Sequence, residues 1–182
     1  MSENLQVFFV DLNKKHLMNF TLRPWQISDV ESLAKYANNV NLTTFFTNRF
    51  PIPYSENDAK NFIEIALKDQ LMLKYAIEIN GEAVGGIDFH PQADILCKNI
   101  EIGYWIGEPF WGKGIMTEVV KQIIPIGFDL FDVTRIYAKC FGKNIGSQKV
   151  LENAGFKLEA RFENIIYKYD TFQDELIYGV RR

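Results

Sequence analysis

The stretch NIEIGYWIGEPFWGKGIMT, residues 99–117, decides the fold class of this chain. Its first half places apolar side chains at every second position, which is the period of a β-strand. Its second half contains Gly112 and Gly114 and leads into a long apolar pattern of helical period that begins at Ile115. A strand, a tight turn and a helix N-terminus therefore follow one another. Because the N–H groups of a first helical turn lack intrahelical partners, this order predicts an anion-binding site.

A glycine turn before a helix is a weak indication of a ligand site, because a purely structural strand–helix turn also uses glycine. Two nucleotide-binding motifs are excluded by the residues present. A Walker A loop requires Ser or Thr after its lysine, whereas Lys113 is followed by Gly114. The dinucleotide fingerprint requires a third glycine at the position that Thr117 occupies.

Upstream of this stretch, two segments of period two flank Asn80-Gly81, a dipeptide typical of a β-hairpin turn. They predict strands over Leu73–Ile79 and Ala83–Phe89. The other elements predicted here are a strand over Met18–Trp25, a helix capped by Ser28 with Glu31 and ending near Asn38, a loop over Asn41–Tyr54, and a helix that begins at Ser55 with Asp58.

Downstream, the helix predicted from Ile115 to Phe128 contains Pro125, which we expect to kink it. The remaining predicted elements are a strand over Val133–Phe141, a helix over Ser147–Ala154 with Gly155 at its C′ position, and strands over Ile165–Tyr169 and Glu175–Val180 joined near Asp170. This order predicts a mixed α/β or α+β sheet protein. We expect a single domain over residues 1–182, with residues 1–16 as an N-terminal extension.

Composition narrows the class of protein. The chain has 182 residues, 47% hydrophobic and 24% charged, as is usual for a globular domain. Its net charge of −3 argues against a nucleic-acid partner. We expect a cytoplasmic protein without a membrane partner, because neither a signal peptide nor an apolar run of membrane-spanning length is recognisable. The two cysteines lack metal-ligand spacing, so no metal is expected.

The segment IYAKCFGKNIGSQKVLENAGF, residues 136–156, follows the glycine turn. Together with EIGYWIGEPFWGKGIMTE, residues 101–118, it resembles the GNAT superfamily of N-acetyltransferases, most closely the RimJ/RimL-type branch. LRPW, residues 22–25, and FPIPYSENDAKNFI, residues 50–63, also resemble that branch. The resemblance covers nearly the whole chain from about Leu17. It implies the GNAT fold, a mixed, mostly antiparallel twisted sheet flanked by helices, in which a splayed strand pair holds the cosubstrate acetyl-CoA.

The resemblance also implies where acetyl-CoA binds. The family's pyrophosphate loop, Q/R-x-x-G-x-G/A, falls on residues 111–116, where Trp111 and Met116 depart from the pattern. The pantetheine arm is expected in the gap between the strand of Glu101 and the strand of Tyr137. The residues implied to bind acetyl-CoA are Trp105, Ile106, Gly107, Trp111, Gly112, Lys113, Gly114, Ile115, Met116, Thr117 and Asn144.

Two catalytic residues are implied by the same resemblance. Glu101 occupies the position of a general base and could act through a water, although an ordinary solvated strand carboxylate fits it equally well. Many relatives place a tyrosine acid where this chain has Leu151. Ser147 is the alternative acid, with a helix cap or a pantetheine hydrogen bond as the competing interpretation. His90 ends a strand before Pro91 and could face the cleft, with a surface loop residue as the more common interpretation. Tyr104 is interpreted as core or cleft wall.

These expectations predict transfer of an acetyl group from acetyl-CoA to a primary amine, by direct attack of the amine on the thioester. The acceptor, a protein N-terminus or a small molecule, stays open, and so does a homodimer. The segment Asn38–Tyr54 is expected to form the acceptor wall by family analogy. Two alternatives stay open: a non-catalytic acyl-CoA-binding sensor or scaffold with the GNAT fold, and an unrelated α/β domain with a chance glycine turn.

Overall fold

The computed structural model describes residues 19–69 and 73–182. The predicted N-terminal extension, residues 1–16, lies outside the described residues, as does Met18, the predicted start of the first strand. The helices are α1 (Val30–Ala37), α2 (Val40–Thr43), α3 (Glu56–Lys68), α4 (Ile115–Leu130) and α5 (Ile145–Asn153). The strands are β1 (Thr21–Pro24), β2 (Lys74–Ile79), β3 (Glu82–Pro91), β4 (Asn99–Ile106), β5 (Arg135–Phe141), β6 (Lys157–Lys168) and β7 (Thr171–Arg181).

Seven strands form one sheet in the order β1-β2-β3-β4-β5-β7-β6. All neighbouring pairs are antiparallel except β4 and β5, which are parallel because α4 connects them as a crossover. The predicted mixed, mostly antiparallel sheet is therefore confirmed. The parallel pair lies at the centre of the sheet, directly beside the glycine turn.

Helices cover both faces of the sheet, and each face has its own apolar cluster. On one face, Val119 and Ile123 of α4 join Ile100 and Ile102 of β4 in the larger cluster. On the other face, α1 and α3 pack around Trp25, which is 2% exposed. Each such buried side chain contributes about 1.5–3 kcal/mol of transfer free energy. These two clusters hold β4 rigidly between layers, so its edge toward β5 has a fixed position.

The central strand pair is splayed. β4 and β5 pair from Asn99↔Arg135 to Glu101↔Tyr137, and beyond this point both strands continue without pairing to each other. On the other side of β4, the Gly107 N–H donates to the carbonyl of Val84 at 2.8 Å. Because antiparallel residues alternate in the direction of their backbone groups, the N–H groups of Tyr104 and Ile106 point away from β3 and toward the gap. The predicted splayed pair is confirmed.

The predicted cap of the first helix is wrong. A short 3-10 turn over Ile27–Asp29 precedes α1, and the Asp29 carboxylate accepts the N–H of Gln26 at 2.8 Å. Arg23 also donates to both oxygens of Asp29, at 2.7 and 2.8 Å. Both side chains of this ion pair are buried, and a buried carboxylate without its partner is strongly destabilising. The ion pair therefore dictates the turn, and Ser28 with Glu31 has no capping role.

The predicted start of α3 at Ser55 with Asp58 is confirmed, and the two residues form a capping box. The Ser55 N–H donates to the Asp58 carboxylate at 2.9 Å, and the Asp58 N–H donates to Ser55 Oγ at 3.2 Å.

α4 runs through Pro125 as one helix, so the proline does not shorten it. The predicted kink at this position stays a prediction.

Two predicted irregular regions contain regular structure. The loop predicted over Asn41–Tyr54 begins with part of α2, whose cap is the Asn39 side chain, which accepts the N–H of Leu42 at 3.1 Å. The final hairpin is longer than predicted. Because β6 is an edge strand with mostly exposed side chains, its sequence lacks the alternation that marks a half-buried strand. The predicted turn is confirmed, with Tyr169 and Asp170 at φ of 49° and 55°.

Candidate active site

A cleft of about 1460 Å³ passes through the gap between β4 and β5. It extends from the N-terminus of α4 on one face of the sheet to the loop after α2 on the other face, so both faces are connected through the gap. Drug-sized ligands fill pockets of about 300–1,000 Å³, so this cleft has room for a large cosubstrate and a second molecule. The predicted site residues that line it are Glu101, Trp105, Ile106, Trp111, Gly112, Gly114, Ile115, Met116, Thr117, Asn144 and Ser147.

The glycine turn before α4 is shaped for close approach of a ligand. Gly112 and Gly114 have φ of 71° and 76°, in the left-handed region that L side chains rarely adopt. Gly114 is the N-cap of α4, so the N–H groups of the following turn are free of intrahelical partners. The indole N–H of Trp111 donates to the Ile106 carbonyl at 2.7 Å and thereby ties the turn to the end of β4.

Two of the predicted cofactor residues do not line the cleft. The Gly107 N–H is already bonded to Val84, and a side chain at Gly107 would meet the Tyr36 ring at 2.9 Å. Lys113 points its ammonium group over the Phe110 ring, 5.6 Å from the ring centroid. Packing of the backbone is therefore the role that the described contacts give to Gly107. Cofactor contacts of both residues stay predictions.

Asn144 serves as the N-cap of α5. Its Oδ1 accepts the N–H of Ser147 at 3.0 Å, so α5 begins at Ile145 and not at Ser147 as predicted. The side-chain cap at Asn144 therefore places the start of the helix two residues earlier than predicted. The cap uses the acceptor end of the amide and leaves its Nδ2 donors for another partner on the cleft side.

Ser147 lies beside two other groups that can hydrogen bond. Its Oγ is 2.7 Å from the Tyr104 hydroxyl, and it also interacts with the Cys140 thiol. Burial raises the pKa of Cys140 to about 11 and raises the pKa of Tyr104 further above its ordinary value. Both groups are therefore neutral proton carriers at pH 7. Tyr104 was interpreted from the sequence as core or cleft wall, without a chemical role; the signal for one was its place on β4, two residues before Ile106.

Glu101 belongs to a charged cluster on the opposite face of the sheet. Lys139 Nζ lies 3.4 Å from its Oε2. Burial, followed by the hydrogen bond to Glu101, raises the pKa of Tyr137 to about 12. The cross-strand partner of Glu101 is His90, whose Nε2 lies 3.0 Å from an oxygen of Asp88.

His90 lies in the wall of the cleft, which is the less common of the two interpretations that the sequence allows. Its side chain is 51% exposed, so it is reachable by solvent and by a ligand. The hydrogen bond to Asp88 is the main reason that its pKa is raised above the ordinary value. Only the register of β3 against β4, which the sequence does not state, brings His90 opposite Glu101.

Aromatic rings form the wall opposite this cluster. Phe46 packs edge-on against Phe50, and Phe50 stacks on Tyr54 with ring centroids 4.6 Å apart. A buried lysine from the final hairpin holds this wall in place: Lys168 donates to the carbonyl of Thr43 at 2.6 Å and to the carbonyl of Phe46. Burial lowers the pKa of Lys168. The wall predicted within Asn38–Tyr54 therefore lines the cleft, and its function stays a prediction.

Across residues 19–69 and 73–182, no helix has both the length and the apolar character needed to cross a lipid bilayer.

Comparisons with known proteins place this geometry in context. A family profile described as an acetyltransferase (GNAT) domain matches residues 19–157. An uncharacterised N-acetyltransferase, p20, of Bacillus licheniformis is 28% identical over 86% of this chain and 87% of its own length. The ribosomal-protein-serine acetyltransferase of Escherichia coli K12 is 30% identical over 54% of each chain. The crystal structure of the microcin C7 self-immunity acetyltransferase MccE, in complex with acetyl-CoA and AMP, superposes with a TM-score of 0.76 at 25% identity, covering 90% of this chain and 92% of its own.

Proposed function

Because the chain belongs to the GNAT acetyltransferase family, we propose that it transfers an acetyl group from acetyl-CoA to a primary amine. The observation that carries this proposal is the splayed β4–β5 pair, which opens a gap directly beside the glycine turn of α4. A gap of this kind admits an extended thioester arm between the strands. Acetyl-CoA is the cosubstrate of this proposal, and no metal takes part in it.

The residues around the gap fit the two ends of acetyl-CoA. Free N–H groups at the start of α4, helped by the helix dipole, suit the pyrophosphate. The backbone N–H groups of Tyr104 and Ile106, which face the gap, suit the amide groups of pantetheine. Nδ2 of Asn144 is a third donor. Neutral backbone donors explain how a chain with a net charge of −3 can hold an anionic ligand.

The reaction requires alignment of an amine with the thioester carbonyl, and alignment alone can supply about 7–11 kcal/mol of the barrier. In this proposal one of the gap-facing backbone N–H groups near Ile106, the one not bonded to pantetheine, stabilises the oxyanion of the tetrahedral intermediate. Glu101 assists removal of the amine proton through a water. The Ser147 hydroxyl donates a proton to the departing sulfur, a modest task because a thiol has a pKa of about 8.5.

The family and the cleft support a proposal about the acceptor. We propose a RimJ/RimL-like cytoplasmic enzyme that acts on a protein N-terminus or a small amine, and a homodimer is part of the proposal to be tested. The name of the Escherichia coli relative, a ribosomal-protein-serine acetyltransferase, supports a protein N-terminus as the first acceptor to test. The aromatic rings of Phe46, Phe50 and Tyr54 favour an acceptor with apolar groups near the amine.

One observation favours the alternative of a non-catalytic acyl-CoA-binding protein. Leu151, at the position where many relatives have a tyrosine acid, is fully buried in the core.

The deciding experiment measures thiol release from acetyl-CoA in the presence of peptides with free N-termini and of small amines. We expect release that depends on one class of amine. Acetyl-CoA binding by calorimetry without thiol release against any amine would favour the sensor.

A further inference from the structure

The side chains of His90 and Asp88 lie together over β4 at Gly103, which has no side chain of its own. A Cβ added at Gly103 would meet Asp88 Oδ1 at 2.7 Å and His90 Nε2 at 3.4 Å. Gly103 therefore leaves the room in which this pair sits. It is also flanked on the same face of β4 by Glu101 and Trp105, which both line the cleft.

The pair is held in one arrangement. Asp88 Oδ2 lies 3.0 Å from His90 Nε2, and a carboxylate at this distance favours a proton on Nε2, which leaves Nδ1 as the nitrogen that can take up a proton. The Asp88 side chain is 26% exposed and the His90 side chain 51%. The Asp88 carboxylate is thus more enclosed than the His90 imidazole. This suits a carboxylate that orients an imidazole, and an imidazole that exchanges protons with a ligand and with solvent.

Glu101, the other candidate base, already has two partners. Lys139 Nζ lies 3.4 Å from its carboxylate, and its interaction with the Tyr137 hydroxyl helps to raise the pKa of that phenol. A carboxylate occupied in this way is suited to holding a water or an ammonium group in position. An imidazole is better suited to accept the proton near neutral pH, because the ideal catalytic pKa lies near the operating pH.

We propose that His90, held by Asp88, accepts the proton of the acceptor's ammonium group before acetyl transfer. This inference rests on the proposed function. The N–H bond of the ammonium breaks, directly or through the water held by Glu101, and the proton goes to Nδ1. The freed lone pair then attacks the thioester carbon. As the C–S bond breaks, the nitrogen loses its second proton to water and the departing sulfur takes a proton from the Ser147 hydroxyl, which solvent reprotonates. The imidazolium returns the first proton to solvent through its exposed side.

The charged groups around His90 set the pH at which this role operates. Asp88 from its own strand and Glu101 from β4 raise its pKa, and Lys74 from β2 lowers it, with the raising contributions dominant. His90 is active as a base only when neutral, so kcat rises with pH through its raised pKa and stays high above it. The limb should therefore lie above the ordinary imidazole value of about 6.5.

The test measures kcat against pH at saturating concentrations of both substrates for the parent and for His90→Gln. We expect His90→Gln to lose the limb and to lower kcat by about 100-fold for a strongly basic amine. The loss should be much smaller for a weakly basic aminooxy acceptor, which needs no base; a merely structural role would lower both rates equally. Gln92→Ala is the matched control, because Gln92 bonds the His90 carbonyl without touching the imidazole.

A second readout does not depend on turnover. Titration of the His90 imidazole by NMR should give a pKa above the ordinary value, and Asp88→Asn should lower it. A His90→Gln enzyme that keeps the parental limb overturns the proposal, and so does an imidazole that Asp88→Asn leaves unchanged. A parent protein that acetylates no amine contradicts the proposed function as a whole, which is a different outcome.

Discussion

The Tyr104 hydroxyl lies 2.7 Å from Ser147 Oγ, so two hydroxyl groups from different elements share one hydrogen bond inside the cleft. Tyr104 comes from the end of β4, and Ser147 from the first turn of α5. The Ser147 N–H is bonded to Asn144, which fixes the backbone on which the hydroxyl turns. When Tyr104 donates to Ser147, the Ser147 proton is free to point at a sulfur in the gap.

Ser147→Ala should lower kcat by about ten- to a hundredfold, at the low end of general-acid effects, and leave the KM for acetyl-CoA unchanged. The loss is modest because thiolate is already a good leaving group. Steady-state kinetics under conditions in which chemistry limits the rate provide the measurement. Ser32→Ala is the control, because that hydroxyl bonds a carbonyl far from the cleft. A raised KM with unchanged kcat would make Ser147 a binding residue.

Tyr104→Phe should lower kcat less than Ser147→Ala, because it removes only the group that orients the serine. The double variant should be no slower than Ser147→Ala alone, since residues in one hydrogen-bond network are not additive. The measurement is a double-mutant cycle on kcat. Additive losses would show that the two hydroxyls act separately. Tyr178→Phe offers a control, because its hydroxyl bonds Glu152 outside the cleft.

Gly114→Val should weaken acetyl-CoA binding about tenfold, because the variant turn relaxes away from the left-handed conformation in the free protein. Binding must then restore that conformation at a cost of about 1–2 kcal/mol, and each 1.4 kcal/mol is tenfold. The side chain would also stand where the pyrophosphate approaches the helix. Calorimetric titration measures the Kd. Gly81→Val carries similar backbone strain, at φ of 86°, on a hairpin outside the cleft. Equal affinities of the Gly114 variant and the parent would refute the assignment.

Asn144→Asp should keep α5 intact and raise the KM for acetyl-CoA. The carboxylate can still accept the Ser147 N–H, but the Nδ2 donors are gone and a negative charge faces the cleft. Asn144→Ala also loses the cap, at a cost of about 1 kcal/mol in the free energy of unfolding. Thermal unfolding and kinetics of both variants separate the cap from the ligand contact. An unchanged KM for Asn144→Asp would leave Asn144 as a cap alone.

Lys168→Met should lower the free energy of unfolding by about 1–3 kcal/mol and raise the KM for the acceptor. The change leaves the carbonyls of Thr43 and Phe46 without their buried donor, and each unsatisfied group costs free energy. Denaturant unfolding measures the first effect. Lys157→Met, at the exposed start of the same strand, should change neither quantity. Acceptor kinetics equal to those of the parent would show that the anchored wall does not contact the acceptor.

Local pattern accounts for much of the central sheet and for the glycine turn. The alternation on β4 and the two glycines before Ile115 are encoded within about twenty residues of sequence, where the periods of strand and helix are directly visible. The residues lining the gap followed from that order together with the family resemblance. Elements whose formation depends on local spacing were thus predictable.

Contacts between distant segments could not be predicted in the same way. The position of His90 beside Glu101 depends on strand register, and the capture of Asp29 by Arg23 overrides a serine cap that looks stronger locally. Lys168 bonds a carbonyl 125 positions earlier in the chain. The sequence around a lysine on an edge strand does not indicate that its side chain is buried, because the segment that covers it is distant in the chain.

The hydrogen bonds of Lys168 join the end of β6 to the segment after α2, so these two stretches of chain form one structural unit. Suppose that only the segment after α2 were replaced by that of a relative. The Lys168 amino group would then face carbonyls in different positions, or no carbonyl at all. The tip of the final hairpin has to be transplanted together with the segment after α2. Directed evolution toward new acceptors should therefore yield compensating changes on β6, at sites that touch no substrate.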